Sequence, residues 1–190
     1  MFYRIDVQDH IRVPPHQFNL SAEEAITKQV KEKYDGMISK DFGIIIDVSK
    51  VKEVGEGIII SGDGAAYYDT KFELLTFIPE AQEVVLGKIK DIADFGAFIN
   101  MGPIDGMIHV SQTMNDFVSF SKDKVLMGKE TKRTLKSNDL CRARVVAISF
   151  KDLANPKIGL TMRQQSLGKL EWIEEENQPK EDKKITKEKK

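Results

Sequence analysis

Gly87-Lys88-Ile89-Lys90-Asp91-Ile92-Ala93-Asp94-Phe95-Gly96-Ala97-Phe98-Ile99-Asn100-Met101-Gly102-Pro103-Ile104-Asp105-Gly106-Met107-Ile108-His109-Val110-Ser111 decides the fold of the second half of this chain. Val84 to Ile92 alternates apolar and charged residues and predicts a strand, and Gly96 to Met101 predicts another. Gly102-Pro103 and Asp105-Gly106 are turn dipeptides, and Met107-Ile108-His109-Val110 resumes the β pattern. Further strands are predicted over 139–150 and 157–162. Short strands with turn signals at roughly ten-residue spacing describe a small barrel or sandwich. The long polar stretch 113–138 adds either extra strands or an exposed excursion.

N-terminal to this block, Pro79 marks a junction at 79–82, and the pattern before it differs. Phe2 to Val13 reads as an extended edge or strand closed by Pro14-Pro15, which removes two backbone donors. Ser21 with Glu24 three residues on has capping-box spacing. Ala22, Ile26, Val30 and Tyr34 follow at intervals of four with Ala25 alongside, and Asp35-Gly36 ends the helix they predict. Three strands are predicted next, at Phe42–Val48, Ile58–Ile60 and Phe72–Ile78. Gly55-Glu56-Gly57 and Gly62-Asp63-Gly64 are read as tight turns between them. The expected fold class is α+β, with an α+β domain over 1–80 and an all-β domain over 81–173. Leu167 to Ile173 has enough apolar surface to dock back as a short helix. From Glu174 to Lys190, 12 of 17 residues are charged, so 174–190 is expected to be a disordered tail.

Composition narrows the function classes. One cysteine, Cys141, permits neither an internal disulfide nor a thiolate zinc cluster. The longest aliphatic runs are three isoleucines each, far short of the ~18–20 apolar residues that span a bilayer, and Met1 to Asp6 has no secretion-signal pattern. A cytoplasmic protein with no membrane association is the expectation. The net charge of −1 conceals a split: residues 1–80 carry 9 basic and 14 acidic side chains, residues 81–170 carry 14 and 9. A basic second half suits a polyanionic partner.

Aromatic rings exposed on a β surface beside cations are what unstacked nucleobases require. Phe95 and Phe98 bracket Gly96, and His109 follows. Lys88, Arg142, Arg144 and Lys157 are the candidate phosphate contacts, the two arginines projecting from one face of their strand. Strict strand alternation would put Phe95 and Phe98 on opposite faces unless Gly96 or a bulge re-aims one of them. A core role for both rings, and a structural role for His109, stay open on spacing alone. Asp91, Asp94 and Asp105 are the nearest approach to a metal-binding carboxylate cluster, but they fall at strand ends and turns where solvated aspartate is usual. No Ser-His-Asp or Cys-His arrangement is evident, and neither a catalytic site nor a cofactor is expected.

Phe95-Gly96-Ala97-Phe98, Gly106-Met107-Ile108-His109-Val110-Ser111, Arg142 to Ile148 and Lys157 to Arg163 together resemble the OB-fold RNA-binding module named after the largest small-subunit ribosomal protein. That resemblance implies that Phe95, Phe98, His109 and Lys157 face RNA. The family often has an aspartate where this chain has Ser149, and its usual connection is shorter than 113–138. Over residues 1 to about 176, the opening Met1-Phe2-Tyr3, both glycine pairs, the OB module and Gly168 to Ile173 resemble the archaeal RNA polymerase stalk-subunit family called E-prime. Eukaryotic nuclear polymerases have its counterpart in their large stalk subunit. This resemblance implies a truncated ribonucleoprotein-like first domain that docks on the polymerase core through a tip built on Gly55, Gly57, Gly62 and Gly64. It also implies a heterodimer with the small F-type RNA polymerase partner, contact with emerging single-stranded RNA, and help in DNA opening. The alternative is an OB-fold RNA-binding module of a translation or RNA-degradation complex.

Overall fold

The computed structural model describes residues 1–121, 123–153 and 155–177. Met1–Glu80 with Phe150–Asn155 form one compact unit, and Ala81–Ser149 with Pro156 onward form the other.

In the first unit, β1 (Phe2–Val13) is followed by a single 3-10 turn at Pro15–Gln17 and by α1 (Ala22–Tyr34). Helix α1 begins where local chemistry says it should: the Ser21 hydroxyl accepts the Glu24 N–H at 3.3 Å, satisfying one orphan donor of the first turn. Its buried stripe is Ala25, Ile26, Val30 and Tyr34. These residues pack with Ile11, Val48, Phe72 and Leu74 of the strands, and each fully buried aliphatic or aromatic side chain contributes roughly 1.5–3 kcal/mol. The Tyr34 ring lies 5.0 Å from that of Phe72, and its hydroxyl donates to Asp9 on β1 at 2.6 Å. Lys33 also reaches Asp9, at 2.5 Å. Burial pushes the Asp9 carboxyl up, but the Lys33 and Tyr34 bonds outweigh it and the group lies below its ordinary value.

β2 (Ile38–Ser39), β3 (Gly43–Ile59) and β4 (Ala66–Phe77) complete an antiparallel sheet of order β1-β4-β3-β2. Phe2–Val13, expected as an extended edge or strand, is an edge strand paired with β4 along its whole length. One expectation is corrected here. The strands expected at Phe42–Val48 and Ile58–Ile60 are one 17-residue strand, and Gly55-Glu56-Gly57 is part of it rather than a turn. The pairing of β3 with β4 shifts register four times, the last between Val54 and Gly57. Each bulge inserts a residue without ending the strand, so a glycine pair reads as a break while the ladder continues through it.

The true hairpin end lies at residues 60–65, where Gly62 and Gly64 have φ of +97° and +69°. Arg12 clamps it with a bidentate contact to Asp63, 2.9 Å from Nε and 2.7 Å from the second guanidinium nitrogen, and the Tyr67 hydroxyl donates to the same carboxylate at 2.5 Å. The Arg12 bonds, then the Tyr67 bond, hold the Asp63 carboxyl down at about 2. Because the folded value is lowered, the clamp is complete above the ordinary 3.8 and is lost as pH falls through about 2. The Tyr67 ring resonances should therefore titrate with a midpoint of about 2, and Asp63→Asn should abolish that titration.

The second unit contains β5 (Val84–Ala93), β6 (Gly96–Asn100), β7 (Asp105–His109), α2 (Val110–Thr113), β8 (Val118–Ser121), β9 (Val125–Gly128), β10 (Thr134–Leu135), β11 (Leu140–Ser149), β12 (Lys157–Thr161), β13 (Gly168–Lys169) and α3 (Leu170–Asn177). β5, β6, β7, β12 and β11 pair in that cyclic order, β11 returning to β5, so five strands close into a barrel. The β7–β12 contact is the parallel one. Ile89, Ile92, Ala97, Ile99, Ile108, Val145, Ile158 and Leu160 fill its interior. The stretch 113–138 forms a three-stranded meander of order β10-β9-β8 on the barrel, anchored by Leu126 and Leu135.

Helix α3 buries Trp172 and Ile173, with Trp172 in the barrel's core cluster. The tail expected to start at Glu174 is corrected at its first residues, which continue α3 to Asn177; residues 178–190 lie outside the described residues.

Candidate nucleic-acid interface

The β5–β6 corner sets the site. Phe95 lies in the turn before β6, so strand alternation does not govern its direction. Within β6, Ala97 and Ile99 point into the core, leaving Gly96, Phe98 and Asn100 on the outer wall. Phe95 is 49% exposed and Phe98 half-buried, with ring centroids 5.9 Å apart and planes at 87°. That edge-to-face arrangement is the favoured one for an aromatic pair and holds both rings outside the core.

His109 sits opposite Gly96 on β7, and Met107 opposite Phe98, both exposed. Gly96 lets the two strands approach closely: a Cβ there would lie 2.2 Å from the Ile108 carbonyl oxygen. Gly96→Ala should destabilise the barrel by about 1–3 kcal/mol. Trp172, the single tryptophan, reports this as a lower denaturant midpoint in fluorescence. The His109 ring nitrogen Nδ1 lies 2.8 Å from the Ser111 hydroxyl and accepts the Ser111 N–H at 3.3 Å, which fixes the ring's orientation.

The sequence-selected cations divide into two groups. Lys88 is exposed across from Asn100 on the β5–β6 ladder, two residues along β6 from Phe98, and Lys157 begins β12, the strand beside β7. Arg142 and Arg144 face outward elsewhere, paired with Leu86 and Val84 in the first half of β5. Phe98 pairs with Asp91, five residues beyond Leu86, or about 17 Å along the strand. The arginines therefore stand apart from the aromatic pair.

Two aspartates on this wall are already neutralised. Asp91 accepts from Lys124 at 2.9 Å, and that bond, followed by one from the Ile92 backbone, holds its carboxyl below the ordinary range. Asp105 accepts from Lys90 at 2.5 Å and from Asn100 at 2.8 Å. Among the described residues no group of three or more His, Cys, Asp or Glu side chains is placed to hold a metal ion. Burial pushes the Cys141 thiol up to about 12, so it is unreactive near neutrality.

The four glycines expected to build a docking tip also divide. Gly62 and Gly64 shape the hairpin end, while Gly55 and Gly57 lie in β3. What the hairpin end presents to solvent is apolar: Ile58 and Ile59 are each 66% exposed, and Ile60 is exposed beside them. Sequence reasoning assigns these isoleucines to a strand and misses their exposure. It also misses Met107 and the lysines that neutralise Asp91 and Asp105. Three isoleucines between two glycine pairs, with no polar alternation to hide them, are the signal that marks the first of these.

Comparison with known proteins agrees with this architecture. Residues 8–64 match the family described as "SHS2 domain found in N terminus of Rpb7p/Rpc25p/MJ0397", and residues 78–146 match "S1 RNA binding domain". The DNA-directed RNA polymerase subunit Rpo7 of Sulfolobus acidocaldarius is 34% identical over 177 residues, covering 93% of this chain and 97% of the relative. Rpo7 of Saccharolobus solfataricus is 35% identical over 175 residues, covering 91% and 97%. The DNA-directed RNA polymerase III subunit rpc8 of Schizosaccharomyces pombe is 31% identical over 124 residues, covering 65% and 61%. An SHS2 unit followed by an S1 barrel, with relatives matching over nine-tenths of the chain at this identity, places it in the Rpo7 family of RNA polymerase stalk subunits.

Proposed function

We propose that this polymerase subunit binds emerging single-stranded RNA on the barrel wall around Phe95, Phe98 and His109, while the Ile58–Ile60 hairpin end anchors it to the polymerase core. The observation that carries the RNA reading is the edge-to-face pair of rings held outside the core, Phe95 exposed and Phe98 half-buried, with Lys88 on β5 beside β6 and Lys157 on β12 beside β7. Stacking on such rings is tolerant of sequence because every base has a π-face. Arg142 and Arg144 extend the positive surface along a separate stretch of the barrel and contact backbone phosphates rather than the stacked bases. The protein works without an active site of its own, in the cytoplasm, as a heterodimer with the small F-type polymerase partner. Among the described residues no helix is long and apolar enough to cross a membrane.

Fluorescence anisotropy with 5′-labelled single-stranded RNA, titrated at several salt concentrations, tests the reading. Phosphate contact releases counterions, so log K should fall linearly with log salt at about −0.7 per phosphate contacted. Flat salt dependence, or no binding at low salt, would sink it.

A further inference from the structure

We infer that the pocket between the β8–β10 meander and the end of β12 is a second base-binding station, holding one unpaired nucleobase of the strand that stacks on Phe95 and Phe98. The inference rests on the RNA reading above and extends it beyond the barrel wall. Ser111, Asn115, Asp116, Phe117, Glu130 and Arg163 line a pocket of about 350 Å³, at the lower end of the range for small-ligand sites.

Its walls are held in place. Arg163 donates to Asn115 Oδ1 at 2.8 Å and to the Ser111 carbonyl at 3.4 Å. The Asp116 carboxylate accepts the Thr131 N–H at 2.8 Å, the Thr131 hydroxyl at 2.7 Å and the Phe117 N–H at 2.6 Å, which ties the meander's loops together. The Phe117 carbonyl accepts the Lys129 N–H at 2.8 Å, so the residue is fixed through its backbone. Phe117 is nevertheless 74% exposed. An aromatic side chain on a fixed backbone, left in water beside a polar pocket, is a stacking surface without its partner.

Charge and continuity identify the occupant. Asp116 and Glu130 give the pocket two carboxylates against one guanidinium, which repels a phosphate and admits a neutral base. Arg163 retains donors beyond the two it uses, suited to acceptor atoms on a base edge, and Glu130 supplies an acceptor for exocyclic amines. The same Ser111 that lines the pocket is bonded to His109 on the aromatic wall, and two residues of chain span at most about 7 Å. A strand leaving His109 therefore reaches the pocket with its next bases.

The test uses the full chain and 5′-labelled oligoribonucleotides in anisotropy titrations, comparing wild type with Phe98→Ala and Phe117→Ala. With a twelve-nucleotide RNA, Phe117→Ala should weaken binding about fivefold to a hundredfold, while a two-nucleotide RNA, which the Phe95–Phe98 wall alone occupies, should lose little. A single abasic nucleotide walked along the longer RNA should show one position whose penalty is present in wild type and absent in Phe117→Ala. Unchanged Trp172 fluorescence on denaturation shows that the variant is folded. If Phe98→Ala weakens binding and Phe117→Ala does not, the second station is wrong and the wall survives. If neither changes RNA affinity, the RNA reading itself fails. Loss of polymerase association by Phe117→Ala with RNA affinity intact would overturn the inference in favour of a protein contact, and equal loss for both RNA lengths without an abasic signature would overturn it as well.

Discussion

Replacing Phe95 and Phe98 together by alanine is expected to lower affinity for single-stranded RNA by about 30-fold or more. Stacking on an aromatic ring contributes ~1–3 kcal/mol per base, so two rings account for roughly 2–6 kcal/mol, and each 1.4 kcal/mol is tenfold. The fold should survive because neither ring fills the core: Phe95 stands in a turn, and Phe98 points outward while Ala97 and Ile99 point in. The cost in stability should fall below the ~3–5 kcal/mol of a fully buried phenylalanine. Phe98→Leu separates the two roles, keeping an apolar side chain opposite Met107 but removing the π-face. It should lose RNA affinity with little change in the Trp172 unfolding curve. A folded double variant with unchanged affinity would show that the rings are not the binding surface.

The second large effect lies in the other unit. Ile58→Asp with Ile59→Asp should reduce association with a polymerase lacking this subunit by at least about a hundredfold, leaving RNA binding by the free protein unaltered. Burying an isoleucine is worth roughly 1.5–3 kcal/mol, so two lost from an interface amount to ~3–6 kcal/mol before the cost of desolvating two carboxylates is added. The free protein should fold as before, since both side chains are already in water. Gel filtration of reconstituted polymerase, read for co-elution, measures the effect. Undiminished co-elution would mean that the exposed isoleucines are not the anchor. Independence of the two phenotypes matters as much as their size, because the RNA surface and the hairpin end belong to separate compact units.

Much of this architecture is legible without coordinates, and the legible parts share a cause. Helix α1 is announced by Ser21, by apolar residues every fourth position and by Gly36, all interactions between residues a few positions apart. The barrel strands are announced by β-branched alternation and turn dipeptides, and the family resemblance by blocks such as Phe95 to Phe98. Misreadings arise where a distant partner decides the outcome. Gly55-Glu56-Gly57 resembles a turn, yet β4 runs alongside and keeps the strand going through a bulge. Glu174 to Glu176 look too charged to order, yet α3 carries them because Trp172 and Ile173 just before them are buried.

The candidate site follows the same division. The types of residue needed to grip a nucleobase strand, aromatic rings and cations, are visible in the amino-acid order, as is the family to which the chain belongs. Which of them share a surface is a matter of strand order and barrel closure. Pairing of β6 with β7 sets His109 beside Gly96 and Met107 beside Phe98, whereas pairing of β11 with the far half of β5 carries Arg142 and Arg144 away. The pocket under Phe117 joins Ser111 to Arg163 across 52 residues. Local preferences act over a few residues and are written into the chain, but hydrogen-bonded partners far along it are chosen only when the sheet closes, and that choice sets which side chains meet.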